Sequence, residues 1–172
     1  MRIALAYDYL NQSGGGERVL EALCQLFPEA PIYTILYDQE KTYNRFAGRK
    51  IFTSFLDFPL ARNNHRFFIP LMPMAIGSLK IPDDYDVVIS VTAGFGKGIR
   101  CGPNTKHISY CFTPLRYAWE PKLANVPSWA TFIKKPLLKY LKNWDYRMAQ
   151  KPDVLLTLSK FIASKMQSYY GR

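Results

Sequence analysis

The run Asp8-Tyr9-Leu10-Asn11-Gln12-Ser13-Gly14-Gly15-Gly16-Glu17-Arg18-Val19 holds the densest chemical signal in the chain. Gly14, Gly15 and Gly16 stand between an apolar run, Ile3 to Tyr7, and a segment whose apolar positions 19, 20, 23, 26 and 27 share one helical face. A backbone without Cβ atoms lets a ligand come close, and the free N–H groups of a helix's first turn favour an anion. The expectation is a phosphate or sugar-phosphate site at the carboxyl end of a first strand. Read as a dinucleotide fingerprint, Gly14-x-Gly16-x-x-Val19 puts Val where close helix–strand packing needs a small residue. Asp38 does follow a second strand at about the twenty-residue spacing of that motif. The stretch from Asp8 to Gly16 is too long for its tight turn, and no Gly-Lys-Ser/Thr ending makes a P-loop.

Further polar groups fall after other predicted strands. Ser90, Thr92, Gly94, Gly96 and Lys97 follow a fourth; Phe112-Thr113-Pro114-Leu115-Arg116-Tyr117-Ala118-Trp119 follows a fifth. Ser159, a good N-cap, and Lys160 follow a sixth. Glycines, hydroxyls and cations on one edge make a kit for a phosphate or a polyol. Asp8 is the one well-placed carboxylate, with Glu17 assigned to the helix N-terminus, so a carboxylate pair for hydrolysis is missing. His107 lies inside a predicted strand and reads as a core or edge residue, and His65 is placed outside these loops. No Ser/His/Asp or Cys/His set and no metal-ligand spacing is present, so neither a nucleophile nor a bound metal is expected. Cys24, Cys101 and Cys111 form no CxxC pair; Cys24 and Cys111 read as small buried thiols.

The elements that would position these groups alternate. Strands are predicted at Arg2–Tyr7, Pro31–Leu36, Lys50–Thr53, Asp86–Val91, Lys106–Cys111 and Asp153–Leu158. Helices are predicted at Glu17–Phe27, around His65–Leu79, at Trp129–Ala149 and at Ser159–Tyr170. Ile3–Tyr7, Val87–Val91 and Val154–Leu158 are near-continuous apolar runs, as parallel strands buried on both faces require. The fold class is therefore α/β, a Rossmann-like doubly wound parallel sheet with helices on both faces, forming one domain over residues 1–172.

With 172 residues, apolar content near half and no low-complexity tract, the chain has the composition of an ordinary globular domain. No apolar run approaches the roughly twenty residues of a membrane span, and Arg2 leads into a strand rather than a signal peptide, which predicts a cytoplasmic protein. The net charge of +10 is uneven: −1 over residues 1–60, +4 over 61–127 and +7 over 128–172. Such a basic C-terminal third points to an anionic partner. In residues 132–148, Ile133, Leu137, Leu138, Leu141, Trp144 and Met148 form an apolar stripe bordered by Lys134, Lys135, Lys139, Lys142 and Arg147. This is a pattern of ordinary surface helices and also of helices lying on anionic membranes. Pro136 places the start of regular helix near itself. The stretch His65 to Ile76 is apolar on nearly every face, and Pro70 and Pro73 rule out one long regular helix there. Core packing is its expected role; exposure would point to a lipid-linked partner.

In order along the chain, RIALAYDYLNQSGGGERVLEAL, FPEAPIYTILYD, YDVVISVTAGFGKGI, CGPNTKHISYCFTPLRYAWE, LSKFIASKM and YYGR resemble the N-terminal half of GT-B-type family 4 bacterial glycosyltransferases. The likeness is to relatives that transfer mannose or similar sugars in cell-surface polysaccharide synthesis. It rests on GGGERV together with YCxTPxRYAW and extends over essentially the whole chain. The resemblance implies the acceptor-binding half of a retaining, metal-independent enzyme that uses a nucleotide-sugar donor. It also implies a second, donor-binding domain absent from this chain, inactivity of this half alone, and a sugar or lipid-linked acceptor at the inner face of the plasma membrane. By position it assigns Gly14, Gly15 and Gly16 to the donor phosphates or the acceptor. Thr113, Arg116 and Tyr117 would line the cleft, with Arg116 gripping an acceptor phosphate, and Ser159 and Lys160 would sit at the cleft edge, with Lys97 in the loop between. Many relatives have His where this chain has Phe112, which puts a base at that position in doubt. Two rival readings are an NAD-type dinucleotide binder and a basic module for an anionic surface without transferase chemistry; nucleic acid is not an expected partner.

Overall fold

A computed structural model describes residues 1–120 and 131–172, with side chains from residue 135 onward in the second stretch. Six strands run in chain order as β1 (Ile3–Tyr7), β2 (Ile32–Thr34), β3 (Ile51–Thr53), β4 (Val87–Thr92), β5 (Lys106–Cys111) and β6 (Val154–Leu156). They form one sheet in the order β3-β2-β1-β4-β5-β6, and every pairing is parallel. The helices are α1 (Gly15–Leu26), α2 (Pro59–Asn63), α3 (Met72–Ser78), α4 (Arg116–Trp119), α5 (Thr131–Ala149) and α6 (Lys160–Tyr170). This is the expected Rossmann-like α/β architecture, with its order reversing between β1 and β4.

The period-two alternation of β1 divides the core. Leu5 and Tyr7 face α1 and meet Leu20, Cys24, Ile32 and Val91, while Ala4 and Ala6 face Ile76, Leu141 and Trp144 of α3 and α5. α1 covers β1, β2 and β4 but stops short of β6, leaving Val154 and Leu156 exposed on that side. Cys111, Ala149, Met166 and Tyr170 form a third cluster joining β5, α5 and α6.

Two expected helices differ from expectation, and α2 and α4 form where the sequence predicts no helix. The apolar stretch from His65 is a tight 3-10 segment, His65–Leu71, that passes directly into α3, because Pro70 and Pro73 deny the donors a continuous α-helix needs. α5 runs from Thr131 through Pro136 instead of beginning near it, so the proline sits inside the helix. The expected start at Trp129, and the side chains of Ile133 and Lys134, lie outside the described residues. Of the predicted stripe, Leu141 and Trp144 are buried, while Lys135, Lys139, Lys142 and Arg147 are exposed.

Candidate functional site at the carboxyl edge of the sheet

In doubly wound sheets ligands bind at the carboxyl ends of the strands where the order reverses. Here that point lies between β1 and β4. The chain leaving β1 does not turn at once: Leu10 bridges in parallel to Tyr37, and its carbonyl accepts the Asp38 N–H at 2.7 Å. This extended spur accounts for the length of the stretch before the glycines, and it sets Tyr9 and Asn11 beyond the strand end.

Asp8, the one well-placed carboxylate in the sequence, is not free at this edge. It is buried and accepts hydrogen bonds from Thr92 Oγ1 at 2.6 Å and from the N–H groups of Ala93 at 2.7 Å, Phe95 at 2.9 Å and Gly96. Burial raises its carboxyl pKa, opposed by these same hydrogen bonds. Asp8 thus braces the loop after β4 against β1. Gly94 and Gly96 serve packing: a Cβ on Gly94 would lie 2.9 Å from Leu115 Cδ1, and one on Gly96 3.1 Å from Asp8 Oδ1.

Lys97 corrects the sequence reading more sharply. Its side chain is fully buried, its Nζ lies 2.6 Å from Asp145 Oδ1, and it donates to the Gly94 carbonyl at 2.5 Å. Burial pulls its pKa down, but Asp145, Cys111 and Asp8 reverse that and hold it above the ordinary lysine value. Asp145, whose role the sequence did not reveal, also accepts from Trp119 Nε1 at 2.7 Å and the Tyr170 hydroxyl at 2.6 Å. The ammonium therefore ties the β4 loop to α4, α5 and α6 beneath the edge and is unavailable to a ligand there.

The glycine run does lie at the edge, and its members differ. A Cβ on Gly16 would sit 2.3 Å from the Tyr7 hydroxyl and 3.1 Å from Phe112 Cε2, so close packing demands glycine there. A Cβ on Gly15 would meet nothing within 4 Å, and Gly15 is exposed at the first turn of α1. Glu17, 2% exposed, accepts the Gly14 N–H through Oε2 at 2.8 Å, the expected capping role. Its Oε1 has no hydrogen-bond partner among the described residues. Burial, then Glu17 and Asp8, raise the Tyr7 hydroxyl pKa.

Phe112 joins the end of β5 to this turn, and it packs edge-on to Tyr110 with ring centroids 5.4 Å apart. Thr113 is partly buried and its carbonyl accepts the Cys111 thiol at 3.2 Å. Arg116 is exposed, and Tyr117 lies close enough to Tyr9 to help raise that phenol's pKa, after burial and Asp8. Ser159 and Lys160 are exposed after the edge strand β6, where the Ser159 hydroxyl accepts the Ile162 N–H at 3.2 Å as the cap of α6. The structure thus brings together Gly14, Gly15, Gly16 and Phe112 on the α1 side, while Tyr9 and Tyr117 lie near each other and pack on the α3 and α5 side of the core. It buries Lys97 and leaves Ser159 and Lys160 at the start of α6, past the outermost strand.

His65, placed outside these loops by the sequence, belongs to this edge. Its ring lies 4.6 Å from that of Tyr9, and its Nδ1 lies 2.8 Å from Asn11 Nδ2. Nothing local in the sequence marks it, because 54 positions separate it from Asn11 and the contact forms only when the β3–β4 crossover returns to the sheet centre. His107 is the core residue expected, 5% exposed with Nε2 2.8 Å from Ser90 Oγ. Cys24 and Cys111 are buried as read, and Asp38 is committed to Lys41, whose N–H and ammonium it faces at 3.1 and 3.3 Å. Among the described residues no group of three His, Cys, Asp or Glu is placed to hold a metal, and no helix is long and apolar enough to cross a membrane.

A cleft of about 580 Å³ opens at the opposite, amino-terminal edge beside Arg100, Lys106, Lys151 and Asp153, away from the switch point. No protein-family model, curated protein or solved structure matches the chain. Its class accordingly stands on the sheet alone, a Rossmann-like α/β domain whose open glycine turn lies at the strand-order reversal.

Proposed function

We propose that this chain is the acceptor-binding half of a retaining nucleotide-sugar glycosyltransferase acting in cell-surface polysaccharide or glycolipid synthesis. The observation that carries the reading is Gly15: an exposed backbone at the N-terminus of a twelve-residue helix, at the strand-order reversal, with open space where a side chain would stand. Phe112 supplies aromatic surface against the adjoining Gly16, partly buried Tyr9 and Tyr117 lie after the carboxyl ends of β1 and β5, and exposed Arg116 supplies a cation suited to a phosphate. The donor's reacting groups would come from a second domain, and the sugar transfer itself is not assigned to residues of this half. A dinucleotide reading is less favoured, since Asp38 would have to leave Lys41 to meet a ribose.

The same reading makes the acceptor lipid-linked. Leu60, Phe67, Leu71 and Met74 are 42–83% exposed on α2, the 3-10 segment and α3, which pack in turn, with exposed or partly exposed Arg62 and Arg66 among them and exposed Phe55 shortly before α2. The neighbouring α5 presents Lys135, Lys139, Lys142 and Arg147 outward. Apolar side chains fringed by cations match the chemistry of an anionic bilayer surface.

Amide NMR of the labelled chain, titrated with sugar phosphates, tests the site. Shifts centred on Gly14, Gly15, Gly16 and Tyr117, abolished in a folded Gly15→Val variant, are expected. Equal shifts in Gly15→Val would refute it. Co-sedimentation with phosphatidylglycerol vesicles tests the surface: no binding to them, or undiminished binding by Phe67→Ser/Met74→Ser, would remove this apolar, cation-fringed surface from the account.

A further inference from the structure

The side chain of Asn11 is nine-tenths buried, and its amide nitrogen stands against two groups, the Arg62 carbonyl and His65 Nδ1. The Arg62 carbonyl, 2.8 Å away, only accepts, so the Asn11 atom facing it is the NH2 group. That same nitrogen stands 2.8 Å from His65 Nδ1. An amide NH2 has hydrogens to give and no lone pair to receive one, so Nδ1 must be the unprotonated acceptor. The neutral ring then carries its only hydrogen on Nε2, on the far side from Asn11, where no described residue partners it. Tyr9 limits how the ring can turn, with centroids 4.6 Å apart and planes at 32°.

From this geometry we infer that His65 is a ligand-binding residue of the edge site: an Nε2–H donor, set in its tautomer by Asn11, that grips an oxygen of a hydroxylated ring lying against Tyr9. The inference deepens the glycosyltransferase reading and rests on it for the ligand class, a sugar of the acceptor. It gives His65 a binding role, and Asn11 acts only through His65, as a positioning residue. Burial, then Arg66 and Lys41, lower the imidazole pKa, which keeps the ring neutral at neutral pH; among the described residues Tyr9 and Asn11 are the other polar groups seen against it.

Imidazole nitrogen NMR of the whole chain reads the tautomer without any ligand. The expected result at pH 7.5 is a neutral His65 with Nε2 protonated. Asn11→Asp, whose carboxylate accepts from Nδ1–H, is expected to move the proton to Nδ1 and raise the pKa. A wild-type ring already protonated on Nδ1 overturns the inference. Titration with simple sugars and sugar phosphates then reads the ligand. Movement of the His65 Nε2 signal, binding about fivefold weaker in His65→Leu, and rescue by the donor-retaining His65→Gln are expected. Shifts at Gly15 and Gly16 with His65 unmoved overturn the inference and leave the proposed function standing. No shift at either place overturns both.

Discussion

The Lys97 ammonium and the Asp145 carboxylate meet at 2.6 Å with neither side chain exposed to solvent. Asp145 takes further hydrogen bonds from Trp119 and Tyr170, so one buried ion pair joins the β4 loop to three helices. Removing one charge strands the other in a medium that solvates it poorly. Lys97→Met is expected to cost about 3–5 kcal/mol, and Lys97→Met combined with Asp145→Leu less than the sum of the two single changes. Urea midpoints of the three variants measure this; additive losses would mean that the two groups are not coupled.

Gly15 and Gly16 are adjacent in sequence and opposite in tolerance. Gly15→Ala meets open space and is expected to leave stability within about 0.5 kcal/mol of the parent. Gly16→Ala drives a methyl into the Tyr7 hydroxyl and is expected to lose about 1–3 kcal/mol, part of it recovered by Tyr7→Phe. Thermal unfolding of the set is the check.

Asp8 is expected to show itself as a brace. Asp8→Ala leaves the N–H groups of Ala93 and Phe95 without their acceptor and Gly96 N–H with Thr92 Oγ1 alone, at 3.1 Å. Amide hydrogen exchange is then expected to quicken by at least about tenfold at Phe95 and by less at Gly96, since an unmet buried donor costs on the order of 1–3 kcal/mol. Unchanged protection at both amides would mean that the loop holds itself.

His107 ties stability to pH. Burial, opposed by Asp153, pulls its pKa from 6.5 down to about 4, where the ring sits against Ser90. Between those values the unfolded chain binds a proton that the folded chain refuses, so stability rises with pH through this window and falls as acid is added. The loss from this group between pH 7.5 and 5 is expected to be about 2 kcal/mol. Denaturant midpoints measured across that range in the parent and in His107→Gln isolate it: the variant's pH slope is expected to be shallower.

Much of the fold was legible because its causes are local or periodic. The apolar runs at Ile3–Tyr7 and Val87–Val91 carry the signature of strands covered on both faces, and parallel pairing follows from the helices between them. The cap at Ser159, the capping carboxylate of Glu17 and the break at Pro70 and Pro73 are equally local. The glycine run announced an approachable backbone without telling which glycine is open.

What the sequence could not assign is the partner of each polar side chain. Asp8 and Lys97 look like edge chemistry in one dimension. Their contacts with Phe95 and Asp145 span 87 and 48 positions and turn both inward. His65 looks remote from the glycines and comes to the edge only because the crossover from β3 returns to the centre of the sheet beside Asn11. Residue type and spacing determined the sheet, its helices and the end at which a ligand would enter. Which side chains remain free to meet that ligand was decided by tertiary packing, because a buried charge must find its counter-charge wherever the folded chain places one.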